Sequence, residues 1–303
     1  MRKIEKVAVF GAGLMGAQIA ELFAKEAGLD VQLVDTNEDL VRKGTQGIIQ
    51  RLETHYVAKG KMTPEECQEV LARIEGTTDL PRAASVSDFV VEAITEKLTA
   101  KRGLFAELDK YAPHHAVLAS NTSYLKISDI AAATSRPADV VGMHFFNPVA
   151  KMLLVEVVKG AETSADTIEA VAALAVRLGK EPVTCADRSF GFLANRAYFA
   201  LRQEAVQMVW EGVAAPWDID KALKLGHNLP VGPLELGDLG GSWGLYATSE
   251  QDRMVAMGSE KGRLHPLVRR MVDAGYTGGA GKKGVYDYYR DFLLKEGKGE
   301  AHD

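Results

Sequence analysis

The sequence predicts an α/β protein in which a Rossmann-type, doubly wound sheet domain precedes an all-helical C-terminal domain. In the first half of the chain, short β-branched runs alternate with helical patterns, which favours a mostly parallel sheet with helices on both faces. A glycine-rich turn joins the first strand to its helix. After about Asp187, long helical patterns follow that are broken by glycine and proline clusters. We therefore expect a sheet domain at residues 1–187 and a helical domain at residues 188–303.

Strands are predicted where apolar, β-branched residues form short runs, at Val7–Phe10, Val31–Val34, Phe89–Glu92, Val117–Ser120, Val140–His144, Leu153–Val158 and Val183–Thr184. The clearest helical periodicity occurs at Ala17–Lys25, Thr163–Leu178 and Ala194–Glu211. Between the second and third strands, Glu38–Lys59 and Pro64–Ile74 predict a helical hairpin that turns at residues 59–61.

The composition is that of an ordinary globular protein, with 47% hydrophobic and 25% charged residues. The formal net charge of -5 gives no basic field that would attract nucleic acid or an anionic membrane. Cys67 and Cys185 fit neither a disulfide framework nor a zinc pattern, so we expect no metal site. There is no signal-peptide pattern, and no apolar stretch approaches the ~20 residues of a spanning helix. We expect a soluble, cytoplasmic protein.

The motif GAGLMG at residues 11–16 has the full context of a dinucleotide-binding fingerprint. It follows the first strand, opens a helix, and is followed by Asp35 at the end of the second strand, close to the expected ~20 residues further on. Asp35 would accept hydrogen bonds from the adenosine ribose hydroxyls and repel a 2'-phosphate. The sequence therefore predicts that NAD is bound in preference to NADP.

Each part of this motif has a physical task. Gly11 permits the tight turn, Gly13 lets the backbone approach a pyrophosphate, and Gly16 lets the helix pack on the strand. At the start of the helix, Leu14 and Met15 offer unpaired N–H groups and a positive dipole end to the phosphates.

Polar residues also follow three later strands, at the sheet edge where doubly wound proteins bind ligands. The segments are VEAITE at 91–96 with a lysine beyond it, SNTS at 120–123, and GMHFFNP at 142–148. With GFLANR at 191–196 and PVGPLELGDLGG at 230–241, they resemble the signatures of the 3-hydroxyacyl-CoA dehydrogenases of fatty-acid and butyrate metabolism. The resemblance covers essentially the whole chain. A related group that acts on carnitine or sugar acids differs at the SNTS and HFFNP segments.

The resemblance implies that His144 takes the proton of a substrate 3-hydroxyl while a hydride leaves C3 for the nicotinamide. Glu156 would hydrogen-bond the other imidazole nitrogen and fix its tautomer. Ser123, Asn147 and Asn195 would hydrogen-bond the reacting oxygen and nearby cofactor or thioester groups.

Two further residues, Glu96 and Lys101, match family positions that contact the nicotinamide-side ribose. Three of these functional assignments have a plainer alternative. His144 would be a satisfied core histidine, Glu156 an exposed strand residue, and Lys101 a solvated helix lysine.

The family binds the nucleotide end of CoA along the helical hairpin, where a Ser and a Lys recur. This chain carries Arg51 and Ala58 at those positions. Arg51, Lys59 and Lys61 either contact CoA phosphates or are ordinary surface charges, and the sequence leaves both alternatives open.

The implied reaction is the reversible, NAD-dependent oxidation of (S)-3-hydroxyacyl-CoA to 3-oxoacyl-CoA by a homodimer. Trp243 departs from the family pattern and either narrows the acyl pocket, favouring short chains such as 3-hydroxybutyryl-CoA, or fills the core. Phe190 replaces a usual proline near the domain boundary. The alternatives are a same-fold dehydrogenase of a free hydroxy acid, such as carnitine or a sugar acid, and a non-enzymatic NAD-binding sensor or structural protein.

Overall fold

The computed structural model describes residues 2–296 and contains two compact units. The first unit ends at Phe192 and the second begins at Leu193. Asp187, where the sequence pattern changes, directly follows the last strand of the first unit. The predicted fold class, a Rossmann-type sheet domain followed by a helical one, is confirmed.

The first unit is built on an eight-stranded sheet with the order β3-β2-β1-β4-β5-β6-β7-β8. The strands are β1 (Lys6–Phe10), β2 (Asp30–Val34), β3 (Ile74–Thr77), β4 (Phe89–Glu92), β5 (Val117–Ser120), β6 (Val140–Phe145), β7 (Leu154–Lys159) and β8 (Glu181–Ala186). Strands β1 to β6 pair in parallel, β7 is antiparallel to β6, and β8 is parallel to β7.

All seven predicted strands are present, and one strand was missed. The helix predicted to end at Ile74 ends at Ala72, and Ile74 begins β3. This strand lies at the sheet edge and is only partly buried, so its short sequence IEGT lacks the apolar run of the inner strands.

Helices cover both faces of the sheet. They are α1 (Leu14–Ala27), α2 (Glu38–Leu52), α3 (Pro64–Ala72), α4 (Leu80–Ser85), α5 (Leu98–Tyr111), α6 (Ile127–Ala131) and α7 (Ala165–Arg177). The predicted helix to Lys59 is shorter: α2 ends at Leu52 and continues as a π-helical segment, Glu53–Val57. Val7 and Val9 face one buried cluster, while Ala8 and Phe10 face another on the opposite side. The two cores hold the carboxyl ends of β1, β4, β5 and β6 along one edge.

The second unit consists of helices and has no strand among its described residues. The helices are α8 (Ala194–Trp210), α9 (Pro216–His227), α10 (Pro233–Leu239), α11 (Ser242–Thr248), α12 (Glu250–Met257), α13 (Ser259–Gly262), α14 (Pro266–Asp273), α15 (Val285–Tyr288) and α16 (Leu294–Glu296). Trp243 is fully buried in their common core, and its Nε1–H donates to Asp238 Oδ1 at 2.7 Å. The structure thus favours the core-filling alternative for this tryptophan. Within residues 2–296, no helix combines the length and apolarity needed to cross a membrane.

Candidate active site

The turn between β1 and α1 has the geometry that its glycines predict. Gly11 adopts φ +104° and its N–H donates to Val34 O at 2.8 Å, while a Cβ at this position would lie 2.6 Å from Ala93 O. A Cβ at Gly16 would lie 1.7 Å from Gly11 O, so the first turn of α1 approaches the turn too closely for any other residue.

The start of α1 is open to an anion. A Cβ at Gly13 would meet nothing within 4 Å, no side chain caps the helix, and its first turn contains no acidic residue. Leu14 is 65% exposed, whereas Met15 packs against the core. Unpaired N–H groups and the positive end of the helix dipole therefore face open space, as a bound pyrophosphate requires.

The neighbouring cleft fits the rest of a dinucleotide. It encloses about 730 Å³ and extends from Gly13 and Asp35 past Leu80 to Ile94 and Thr95, with a mostly apolar lining. The Asp35 carboxylate is held at the end of β2, because Oδ2 accepts from the Ala12 N–H at 2.7 Å and Oδ1 accepts from the Thr36 N–H. Oδ1 also accepts from the Thr36 hydroxyl at 3.2 Å, so it is Oδ2 that keeps a lone pair for a ribose hydroxyl. These residues fit NAD.

His144 and Glu156 face each other across the antiparallel pair of β6 and β7. The His144 Nδ1 lies 2.7 Å from Glu156 Oε2, and both side chains are buried, with exposed fractions of 3% and 0%. An ionised Glu156 carboxylate can only accept at this distance, an arrangement that places the proton of a neutral imidazole on Nδ1 and leaves Nε2 as an acceptor. The alternative in which Glu156 is an exposed strand residue is wrong.

Aromatic rings enclose the imidazole. The ring centroid of Phe146 lies 4.5 Å from that of His144, and the Phe192 ring approaches edge-on at 5.8 Å. Phe192 reaches this position with φ +50°, and its carbonyl accepts a hydrogen bond from Ser189 Oγ. Nothing in the sequence marked Phe192 as a neighbour of the histidine.

Lys101 is not a solvated helix lysine, because only 1% of it is exposed. Its Nζ donates to Glu92 Oε1 at 2.6 Å and lies 3.0 Å from Glu96 Oε2. Glu92 also accepts from Ser120 Oγ at 2.6 Å and from the Ile94 N–H at 2.7 Å. Burial raises the pKa of Glu92, and the Lys101 ammonium opposes that shift.

The same network holds the SNTS segment. Glu96 Oε1 accepts from the Ser123 N–H at 2.8 Å and from the Thr122 hydroxyl. Ser123, Glu96 and Lys101 thus lie together at the ends of β4 and β5. Glu96 connects Ser123 with Lys101, and Glu92, which received no role from the sequence, holds the Lys101 ammonium from its other side.

Asn147 is exposed in the loop that follows β6, and this loop is anchored at both ends. Gln18 Nε2–H donates to Asn147 Oδ1 at 3.0 Å, and Gln18 Oε1 accepts from the Val149 N–H at 2.9 Å. The buried Lys180 donates to the carbonyls of Val149 and Met152 at 2.6 and 2.9 Å. Neither Gln18 nor Lys180 carried a recognisable sequence signal.

The remaining predicted residues lie elsewhere. Asn195 is in the first turn of α8, in the second unit. Arg51 Nε donates to the buried Glu21 at 2.7 Å, whereas Lys59 and Lys61 are exposed in the turn after the π-helical segment. In the described part of the chain, no group of three or more His, Cys, Asp and Glu side chains could hold a metal ion.

Phe190, which replaces the proline usual in the family, contacts another aromatic ring. Its ring stacks on Tyr124, directly after Ser123, with the ring centroids 4.5 Å apart and an interplanar angle of 24°. The aromatic pair therefore packs the segment before the unit boundary against the SNTS loop.

The thiol of Cys185 should be unreactive at neutral pH. Burial, followed by the charges of Glu156 and Asp187, raises its pKa to about 11. In a Cys67→Ser background, we expect iodoacetamide to alkylate Cys185 at pH 8 about a hundredfold more slowly than a thiol of ordinary pKa. The rate should rise about tenfold per pH unit up to pH 10, because the thiolate is the reactive form. A rate that levels off below pH 9 would contradict this picture.

Two family models match the chain. The NAD-binding domain of 3-hydroxyacyl-CoA dehydrogenase matches residues 6–188, and the C-terminal domain of the same enzyme matches residues 191–288. These two matches cover most of both compact units.

Individual relatives agree with the family models. A probable 3-hydroxybutyryl-CoA dehydrogenase of Bacillus subtilis is 42% identical over 94% of this chain and 98% of its own length. A 3-hydroxyadipyl-CoA dehydrogenase of Escherichia coli is 40% identical over 95% of this chain and 60% of its own length. The solved structure of (S)-3-hydroxybutyryl-CoA dehydrogenase from Ralstonia eutropha aligns with a TM-score of 0.87 and 38% identity, over 94% of this chain and 99% of that one. The chain therefore belongs to the 3-hydroxyacyl-CoA dehydrogenase family, whose N-terminal domain binds NAD.

Proposed function

We propose that the chain catalyses the reversible, NAD-dependent oxidation of (S)-3-hydroxyacyl-CoA to 3-oxoacyl-CoA. The observation that carries this proposal is the buried His144–Glu156 pair, which lies at the same sheet edge as the dinucleotide cleft. Family membership supports the reaction class, and the geometry supplies a base of the kind that the reaction needs.

His144 acts as the base in this mechanism. Its Nδ1–H donates to Glu156, which leaves Nε2 to take the proton from the substrate 3-hydroxyl, and the Glu156 carboxylate then stabilises the imidazolium. The chemistry that bound NAD supplies is acceptance of the hydride released from C3. In the reverse direction, His144 returns the proton to the oxygen of the 3-oxo group.

Neutral donors complete the proposed site. The Ser123 hydroxyl and the Asn147 amide donate to the reacting oxygen and to nearby cofactor groups, where they stabilise negative charge that develops on that oxygen. Asn195 has the same role by family resemblance. Glu96 and Lys101 contact the nicotinamide-side ribose, and their buried network keeps them in place.

We propose a short acyl chain, such as that of 3-hydroxybutyryl-CoA. The support is the similarity to proteins named 3-hydroxybutyryl-CoA dehydrogenase, since Trp243 is buried and gives no separate support. By the same resemblance, we propose that the protein is a cytoplasmic homodimer in fatty-acid or butyrate metabolism, with residues 188–303 responsible for substrate binding and dimerisation. The net charge of -5 supports the absence of nucleic-acid or membrane partners.

Turnover can be measured as loss of NADH absorbance at 340 nm, with acetoacetyl-CoA as the substrate in one assay and dehydrocarnitine in a parallel one. We expect rapid turnover of the thioester alone. His144→Ala should lower kcat about a thousandfold or more because the base is lost, and Glu156→Gln should lower it about a hundredfold because the imidazolium loses its counter-charge.

His115→Ala is the matched control for this assay. His115 lies before β5, at the opposite end of the strands, where it pairs with Asp88 on the surface, so the change should leave kcat unaltered. Activity with dehydrocarnitine alone would reassign the chain to the free hydroxy-acid dehydrogenases. NADH binding without turnover of either compound would favour the sensor alternative.

We propose that the CoA moiety binds in a basic cleft beside Asn147. The cleft encloses about 270 Å³, and its lining includes the basic residues Lys25, Arg51, His55 and Lys151. Asn147 also lines this cleft, together with residues of α1 and α2, so a thioester held at Asn147 would leave the rest of CoA beside these helices. Arginine and lysine are suited to phosphate, and Lys59 and Lys61 follow further along the same hairpin.

Replacing Arg51 tests this part of the proposal. In a Glu21→Gln background, which avoids leaving a buried carboxylate unpaired, Arg51→Met should raise KM for acetoacetyl-CoA about tenfold, the loss expected for one charge-assisted hydrogen bond. KM for S-acetoacetyl-N-acetylcysteamine, which lacks the nucleotide, should not change. Lys43→Met, an exposed change on the same helix, is the control. An equal rise in KM for both thioesters would assign Arg51 a structural role instead.

A further inference from the structure

Gln18 lies on the inner side of the cofactor-binding helix α1, two residues after the glycine-rich motif. It is 8% exposed and makes three hydrogen bonds. Its Nε2 donates to Leu14 O at 3.2 Å and to Asn147 Oδ1 at 3.0 Å, and its Oε1 accepts from the Val149 N–H at 2.9 Å. The residue therefore connects the cofactor helix with the loop that carries Asn147.

These three bonds fix which way the Gln18 carboxamide faces. A backbone N–H can only donate, so the Gln18 atom beside Val149 must be the oxygen. A backbone carbonyl can only accept, so the atom beside Leu14 must be the nitrogen. Turning the Gln18 amide would break both bonds at once.

The orientation of the Gln18 carboxamide also fixes the orientation of the Asn147 carboxamide. Because Gln18 presents an N–H group, the Asn147 atom that it contacts must be the acceptor Oδ1. The Asn147 Nδ2 then points away from this bond and keeps its two N–H donors for a ligand. An asparagine without such a partner could present either its oxygen or its nitrogen.

We propose that Gln18 is a positioning residue, which holds the Asn147 carboxamide with its N–H groups toward the reacting oxygen. The inference rests on the proposed role of Asn147 as a donor in the dehydrogenase reaction. Lys180 holds the backbone of the same loop through Val149 O and Met152 O, so the loop has a separate anchor when Gln18 is changed. The specific contribution of Gln18 is the polarity of the Asn147 side chain.

A double-mutant cycle with Gln18→Met and Asn147→Ala tests the proposal. Methionine has a similar length and no hydrogen-bonding amide. We expect Gln18→Met to lower kcat for acetoacetyl-CoA about tenfold and to cost less than twofold when Asn147 is already alanine. Gln18→Glu should lower kcat further, because a carboxylate attracts the Asn147 N–H groups and turns its oxygen toward the ligand. The Kd of NADH, measured by fluorescence titration, should rise no more in Gln18→Met than in Asn147→Ala, because the glycine-rich turn and Asp35 are unaltered in both.

Thr167→Val controls for stability. It removes two other side-chain hydrogen bonds in the first unit, from Thr167 Oγ1 to Ala138 O and from Ser164 Oγ to Thr167 Oγ1, and these lie at the start of β6, the end opposite the Asn147 loop. It should lower Tm to a similar extent as Gln18→Met and leave kcat unchanged. Equal losses from Gln18→Met with and without Asn147 would overturn the positioning role. An Asn147→Ala variant with full activity would overturn the proposed role of Asn147 itself, while wild-type activity in Gln18→Met alone would overturn only the inference about Gln18.

Discussion

The antiparallel pairing of β7 with β6 is the constraint on which the rest of the site depends. It sets His144 directly opposite Glu156, so two residues that are separated in sequence share one face of the sheet. A register shift by one residue would move the Glu156 carboxylate to the other face and leave the imidazole without a partner. All earlier strands run in the opposite direction to β7, so the fold reverses at the strand that supplies this carboxylate.

Burial of both side chains strengthens the hydrogen bond that this strand pairing allows. With water excluded by Phe146 and Phe192, the hydrogen bond between His144 and Glu156 is strong, and a missing partner would be costly. A second buried and hydrogen-bonded charged group lies at the ends of β4 and β5, where Lys101 is held between Glu92 and Glu96. Two buried ionic groups thus lie along one sheet edge beside the dinucleotide cleft. They hold polar side chains in fixed positions on a scaffold that is otherwise apolar.

Sequence reasoning reached the fold and the cofactor turn because both depend on local signals. The glycines of GAGLMG must occupy the backbone conformations and close approaches that the structure contains, and buried strands require apolar runs. The edge strand β3 was missed because it is only partly buried. Lys101 gave no sign of its burial, since a lysine on a helix usually faces solvent. Gln18 could not be found at all, because its importance lies in a contact with a loop more than a hundred residues later in the chain.

The central claim is that Glu156 holds His144 with its proton on Nδ1 and leaves Nε2 free to take the substrate proton. The most direct test is ¹⁵N NMR of protein labelled at histidine, with the His144 resonances assigned by comparison with His144→Ala and the tautomer read from the two ring-nitrogen shifts. The account predicts a protonated Nδ1 and a bare Nε2 in the neutral imidazole, and loss of this preference in Glu156→Leu. A neutral His144 with its proton on Nε2 in the unaltered protein would contradict it.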